Sequence, residues 1–177
     1  VDGIARLRVR TFDGDAQHAT QEEVHAHFAG LLREATKADA LLIDLVDNPG
    51  GHAELAFVLL RGLVDEPVEL VHDTEERTSW FGLFTTRTFR SSLVQPEEPH
   101  YSGPVVVLTS ANTASAAELL ARSLQRAGRA AIVGERTNGA EAAIETVAGP
   151  DGSKLLFGKL RLRDTKGGGF QDEGVVP

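Results

Sequence analysis

The chain has no cysteine and no methionine, and only one tryptophan and one tyrosine among its 177 residues. Without cysteine there is no disulfide, no thiolate zinc site and no cysteine nucleophile, although compartment stays open. No apolar run approaches the roughly 20 residues that a bilayer-spanning helix needs. Basic residues are scattered and the formal net charge is -8, so neither nucleic acid nor an anionic membrane surface is an expected partner. No pair of histidines has metal-ligand spacing and no phosphate-binding loop is present; "KGGGF" (166–170) reads as a flexible turn. No cofactor or metal is expected. The chain also lacks an initiator methionine and a signal peptide, opening on "VDGIARLRV". We therefore expect a piece of a longer protein whose targeting segment, if any, lies upstream.

What is present is an ordinary globular composition, 41% hydrophobic and 25% charged, of a length that fits one domain. "IARLRVRTF" (4–12) alternates as a half-buried strand does. Residues 18–37 carry apolar positions on one helical face behind a Thr20–Glu23 capping box. "ALLIDLV" (40–46) is a short buried-type strand that ends in "DNPGG", and "HAELAFVLLRGLV" (52–64) is helical by spacing, with Pro67 as its stop. "PVVVLTS" (104–110) is the strongest strand and leads into the helix "ASAAELLARSLQRAG", which Gly128 ends. "AAIVGE" (130–135) is a third apolar strand, and "LLFGKLRLRD" (155–164) completes a terminal hairpin after the turn "GPDGS".

This order predicts a mostly parallel sheet with crossover helices, and ligand sites in such sheets lie at the carboxyl ends of the strands. "DNPGG", "SANTAS" and "GERTNG" all fall there. Residues 73–101 break the rhythm: polar, holding Trp80 and interleaving Phe81, Phe84 and Phe89 with arginines. They read as a variable insertion with its own small hairpin, an oligomer contact, or a lid over the substrate.

Ser115 has two readings. In Ser115-Ala116-Ala117-Glu118 it is the serine of a capping box, worth roughly 0.5–2 kcal/mol to the helix. The same position places a hydroxyl in the positive field of a helix N-terminus beside unpaired N–H groups. A carbonyl attacked there would find the Ala116 amide ready for its oxyanion, and Gly50 or Gly51, with no Cβ, suits the second donor.

Taken together, "LLIDLVDNPGGHAEL", "PVVVLTSANTASAAELLARSLQRAGRAAIVGERTNGA" and the final "EGVVP" resemble the C-terminal processing (tail-specific) protease family of serine peptidases. The resemblance covers residues 4–177, with 65–103 variable. It implies a ClpP/crotonase-like fold of stacked β-β-α units, a single peptidase core domain over 1–177, and an endopeptidase acting on protein or peptide. Ser115 would be the nucleophile, with the Ala116 N–H and a glycine of Gly50–Gly51 as oxyanion hole. Proteins of this fold often assemble, so a homo-oligomer is compatible, and many of these relatives are exported to the periplasm or beyond the cell; a cytoplasmic location stays open.

The match fails at the base. The family places a lysine directly after Gly-Glu-x-Thr-x-Gly, where this chain has Ala140; Ile144 stands in the supporting glutamine's place, and Val46 replaces the usual arginine of the first motif. A serine hydroxyl is a poor nucleophile until a base takes its proton, and alanine cannot. The chain looks more like the branches without that lysine. One is the tricorn-type peptidases, whose histidine base comes from a preceding segment; the other is the interphotoreceptor retinoid-binding protein, whose modules carry apolar ligands. Within the chain, His52 stands at the same rim as Ser115 and is a candidate base, while His18, His25, His27, His72 and His100 have no motif support. Asp172 or Glu173 could supply an orienting acid, and Glu135 a structural one. Three readings stay open: a serine peptidase core completed by an external base, an inactive pseudo-peptidase or binding module, and an acyl-CoA enzyme of the crotonase type.

Overall fold

A computed structural model of the chain describes residues 3–13, 21–78, 85–140, 143–164 and 173–177. In chain order the elements are β1 (Ile4–Arg8), α1 (Gln21–Ala35), β2 (Ala40–Asp44), α2 (Ala53–Arg61), β3 (Val68–Thr78), β4 (Thr85–Val94), β5 (Val105–Thr109), α3 (Ala116–Arg126), β6 (Ala130–Gly134), β7 (Ala143–Ala148) and β8 (Lys154–Asp164). Thr20 of the expected capping box, His18, Trp80, Phe81, Phe84, Asp172 and the run 166–170 lie outside the described residues.

β1, β2, β5 and β6 form one sheet in that order, parallel throughout. Their valine- and isoleucine-rich sequences suit a pleated, buried surface. Alternate side chains divide the work: Leu41, Ile43, Val105, Val107 and Ile132 are buried on one face. Leu42, Val106 and Leu108 on the other are half-buried, and Val133 is 47% exposed. The first set joins Leu32 of α1, Leu59 and Leu60 of α2, and Leu120 and Leu124 of α3 in one core. Each such leucine, fully buried, contributes roughly 1.5–3 kcal/mol.

The second sheet, in the order β4-β3-β8-β7, is antiparallel. The β3–β4 hairpin falls where a variable insertion is expected, but it begins earlier, at Val68, and is not a separate appendage. β3 pairs with β8 from Leu70 opposite Asp164 to Asp73 opposite Arg161. "VELVHDTEERT" has no clean alternation, so its strand character comes from this two-sided pairing rather than from local pattern.

α2 ends at Arg61 and is capped by Gly62, five residues before Pro67. A Cβ at Gly62 would lie 2.4 Å from Leu32 Cδ1 and 2.9 Å from the Pro99 carbonyl, so only glycine lets α1 approach this corner. The chain then turns inward, with the Leu63 and Val64 N–H groups both donating to the Leu60 carbonyl, and buries both side chains.

Candidate active site

Three loops leave the carboxyl ends of neighbouring parallel strands: 45–52 after β2, 110–115 after β5 and 135–140 after β6. The first two are stitched together. Thr113 Oγ1 donates to the Leu45 carbonyl at 2.8 Å, and the Ala114 N–H donates to the Asn48 carbonyl at 2.9 Å. Asn48, fully buried, holds the glycine turn: its Nδ2 donates to the Val9 carbonyl at 2.9 Å and its Oδ1 accepts the Gly50 N–H at 2.8 Å.

Ser115 sits in a backbone conformation that its residue type avoids. The Ala117 N–H donates to the Ala114 carbonyl at 3.1 Å, closing a four-residue turn with Ser115 at its second position. Its φ of 52° and ψ of -119° belong to that position of a type II′ turn, which glycine normally occupies. An ordinary helix cap is extended, as His52 is at the start of α2, with φ -73° and ψ 119°. Holding serine here costs of order 1–3 kcal/mol.

The turn is pressed against Gly50. A Cβ at Gly50 would lie 2.7 Å from Ser115 Cβ, 2.7 Å from the Ala114 carbonyl oxygen and 2.9 Å from the Ala116 nitrogen. Gly50 therefore has to be glycine twice over, for this approach and for its φ of 96°. Residues 50, 115 and 116 thus lie against one another, and Ser115 itself is half-buried. Among the described residues the Ala116 N–H has no hydrogen-bond partner, as befits the first turn of a helix, and neither has the Gly51 N–H. Gly50 differs: its N–H is committed to Asn48, so of the two glycines Gly51 has the available donor.

Glu118 joins the third loop to this turn. It is completely buried, and four donors converge on its carboxylate: the Ser115 N–H at 2.9 Å, Thr137 Oγ1 at 2.5 Å, the Gly139 N–H at 2.6 Å and the Ala140 N–H at 2.9 Å. Ala140, in the family's lysine position, is exposed. His52 is exposed as well, and its ring has no hydrogen-bond or ion-pair partner among the described residues, so nothing there orients it as a base. Glu135 accepts the Ala111 N–H at 3.3 Å at the rim, and Glu173 is exposed. Asp65 lies 3.4 Å from His100 Nε2, and His27 packs edge-on against Phe28.

Asp44, at the end of β2, anchors the floor below the site. Burial alone would raise its pKa. The Arg6 hydrogen bond at 2.5 Å, the Val46 N–H and the charges of Arg6 and Arg8 outweigh that and hold it below the ordinary 3.8.

Parallel strands thus feed a strained serine at a helix start, pressed against Gly50 and followed by an amide, that of Ala116, with no partner among the described residues. The chain belongs to Peptidase family S41, which it matches over residues 3–177. It is 27% identical over 176 residues to the carboxy-terminal processing protease CtpB of Bacillus subtilis (strain 168), covering 98% of this chain and 33% of that protein. It is 34% identical over 140 residues to a carboxyl-terminal-processing protease of Picosynechococcus sp. (strain ATCC 27264 / PCC 7002 / PR-6), covering 79% and 31%. The photosystem II D1 C-terminal processing protease superposes with a TM-score of 0.73 at 25% identity, over 98% of this chain and 41% of that one. The chain thus spans about a third of the length of these curated relatives. Among the described residues, no helix is long and apolar enough to cross a membrane.

Sequence reasoning picked out Ser115, Ala116 and the glycine pair but not what holds them. Asn48 was visible as a motif residue and Glu118 as a capping glutamate. The loop 137–140 was marked by "GERTNG", but neither its bonds to Glu118 nor that of Val9 to Asn48 has a sequence signal.

Proposed function

We propose that this chain is the core of a serine endopeptidase that cleaves protein or peptide substrates through an acyl-enzyme on Ser115. The reading rests above all on Ser115 being held at φ 52° where an extended cap would serve a purely structural role. In the first step Ser115 Oγ attacks the scissile carbonyl carbon and its proton passes to a base. The oxyanion is held by the Ala116 and Gly51 N–H groups, each such donor typically worth about 2.7–4 kcal/mol. Collapse breaks the C–N bond and the base returns its proton to the departing amine; water then releases the acyl group by the same route. Ala140 cannot serve as base and, among the described residues, nothing supports His52 in that role; the base in this proposal comes from outside the chain. Carboxy-terminal processing, the activity in the relatives' names, is the proposed use.

A second reading, a binding module that keeps the cleft without the chemistry, is favoured by the alanine at 140. A fluorophosphonate probe separates the two, applied to this chain and to the protein with its flanking segments. Labelling abolished by Ser115→Ala supports the peptidase. Silence in both forms, with the fold intact, refutes it.

A further inference from the structure

The donors around Glu118 fix the direction of a longer chain of contacts. A hydroxyl has one proton. Thr137 Oγ1 accepts the Val175 N–H at 2.6 Å, so its own proton is directed to Glu118 Oε1. The Thr137 N–H in turn donates to the Val175 carbonyl at 3.1 Å, making a two-way clasp between the third loop and segment 174–176. Val175 is fully buried, and a Cβ at Gly174 would lie 2.3 Å from the Thr137 carbonyl oxygen, so the segment lies tightly against the loop. Its outer end is tied to α3 by Gln125 Nε2, which donates to the Val176 carbonyl at 2.7 Å. From Val175 the contacts run through Thr137 and Glu118 to the Ser115 N–H without a gap.

We propose that Glu118 and Thr137 are positioning residues through which segment 174–176 holds the strained turn at Ser115 in its reactive geometry. A capping box needs only two reciprocal bonds, from the glutamate N–H to the serine side chain and from the serine N–H to the glutamate carboxylate, and both are present here. Here the same carboxylate also takes two backbone amides and a hydroxyl that reports on a segment far along the chain. The functional half of this inference rests on Ser115 being the nucleophile; the structural half does not.

The experiment therefore reads two signals in the folded chain with its flanking segments: amide hydrogen exchange at Ser115 and Ala140, and the rate of fluorophosphonate labelling at Ser115. Thr137→Val keeps the shape and removes the hydroxyl. It should speed exchange at both amides and slow labelling roughly 10- to 100-fold, the scale expected when reacting groups are displaced by about 1 Å. Thr137→Ser restores the hydroxyl and should restore both signals. Gln125→Ala, at a half-buried position outside the clasp, loosens only the segment's outer anchor and should shift both signals the same way, several-fold. It keeps the comparison open if Thr137→Val does not fold. Unchanged exchange at Ser115 in Gln125→Ala and in a folded Thr137→Val, or Thr137→Ser behaving like the valine variant, overturns the coupling. Altered exchange with no labelling even in the unsubstituted protein upholds the coupling and removes the nucleophile instead.

Discussion

Replacing Gly50 with alanine asks whether the glycine turn and the serine turn form one site. Two costs add. The first is conformational: φ of 96° is unfavourable for any residue with a Cβ, by about 1–2 kcal/mol. The second is steric. The new methyl would meet Ser115 Cβ and the Ala114 carbonyl at 2.7 Å and the Ala116 nitrogen at 2.9 Å, with little freedom to yield because two of the three are backbone. Overpacking of this kind typically costs about 1–3 kcal/mol. The sum, roughly 2–5 kcal/mol, corresponds to a fall in Tm of about 5–15 °C for a chain of this size.

Gly152→Ala supplies the control, because Gly152 has φ of 81° and nothing within 4 Å of its would-be Cβ. It carries the first cost without the second, and its Tm should fall by only about 2–6 °C. The functional contrast is sharper. Relief of the overlap at Gly50 moves the Ser115 turn or the Ala116 amide, and labelling by a fluorophosphonate should drop on the order of 100-fold. Gly152→Ala should label at the unsubstituted rate. Thermal melts and labelling time courses on the same preparations decide it. If Gly50→Ala melts no lower than Gly152→Ala and labels normally, residues 50 and 115 do not share a pocket and the site is misassigned.

Ala140→Lys places an amine at the exposed position next to the Glu118 clasp. It should give this chain on its own measurable peptide hydrolysis, lost again in the double variant with Ser115→Ala; a peptide-cleavage assay reads it. Asp44 predicts an acid-sensitive fold. Its folded pKa lies below the ordinary 3.8, so its contribution is complete above that value and is lost as pH falls toward and through the folded value. Tm should therefore drop more steeply between pH 5 and pH 3 than in Asp44→Asn, on a scale of about one to two pH units around the unfolded pKa. Arg6→Ala, which removes the strongest partner, should destabilise at pH 7 and flatten the same slope.

Much of the frame was legible because it is local. The alternation in "IARLRVRTF" and the apolar runs "ALLIDLV", "PVVVLTS" and "AAIVGE" mark all four parallel strands; the last three lie within two residues of the observed bounds, whereas β1 ends at Arg8, four residues short of the expected Phe12. The turns after them drew attention to the three loops that meet at the site. What stayed hidden depends on residues far apart. β3 carries Glu, His and Asp in a pattern that suits no half-buried strand until β4 and β8 pair with it on either side. The spacing carries the second helix to Val64, with Pro67 as the visible breaker beyond it, yet α2 ends at Arg61, and Leu32 and Pro99, distant in sequence, leave room only for glycine at 62. At the site, "SAAE" announces a capping box and cannot announce that its serine is left-handed.

That conformation makes the two roles of Ser115 separable by stability alone. If Ser115 acted only as a cap, losing its side chain would cost about 0.5–2 kcal/mol in Ser115→Ala and a few tenths in Ser115→Gly, so both variants would melt below the unsubstituted chain. The turn's geometry reverses the second expectation. At φ 52° and ψ -119° glycine is the unstrained residue, so Ser115→Gly should recover part of the strain, about 1 kcal/mol, and melt about 2–4 °C above the unsubstituted chain. Ser115→Ala keeps a Cβ in the same conformation and gains nothing. Both should be unreactive toward fluorophosphonate. A site that becomes more stable when its serine is removed has retained that serine for chemistry rather than for folding. A Ser115→Gly variant melting below the unsubstituted chain would instead return the residue to its capping role.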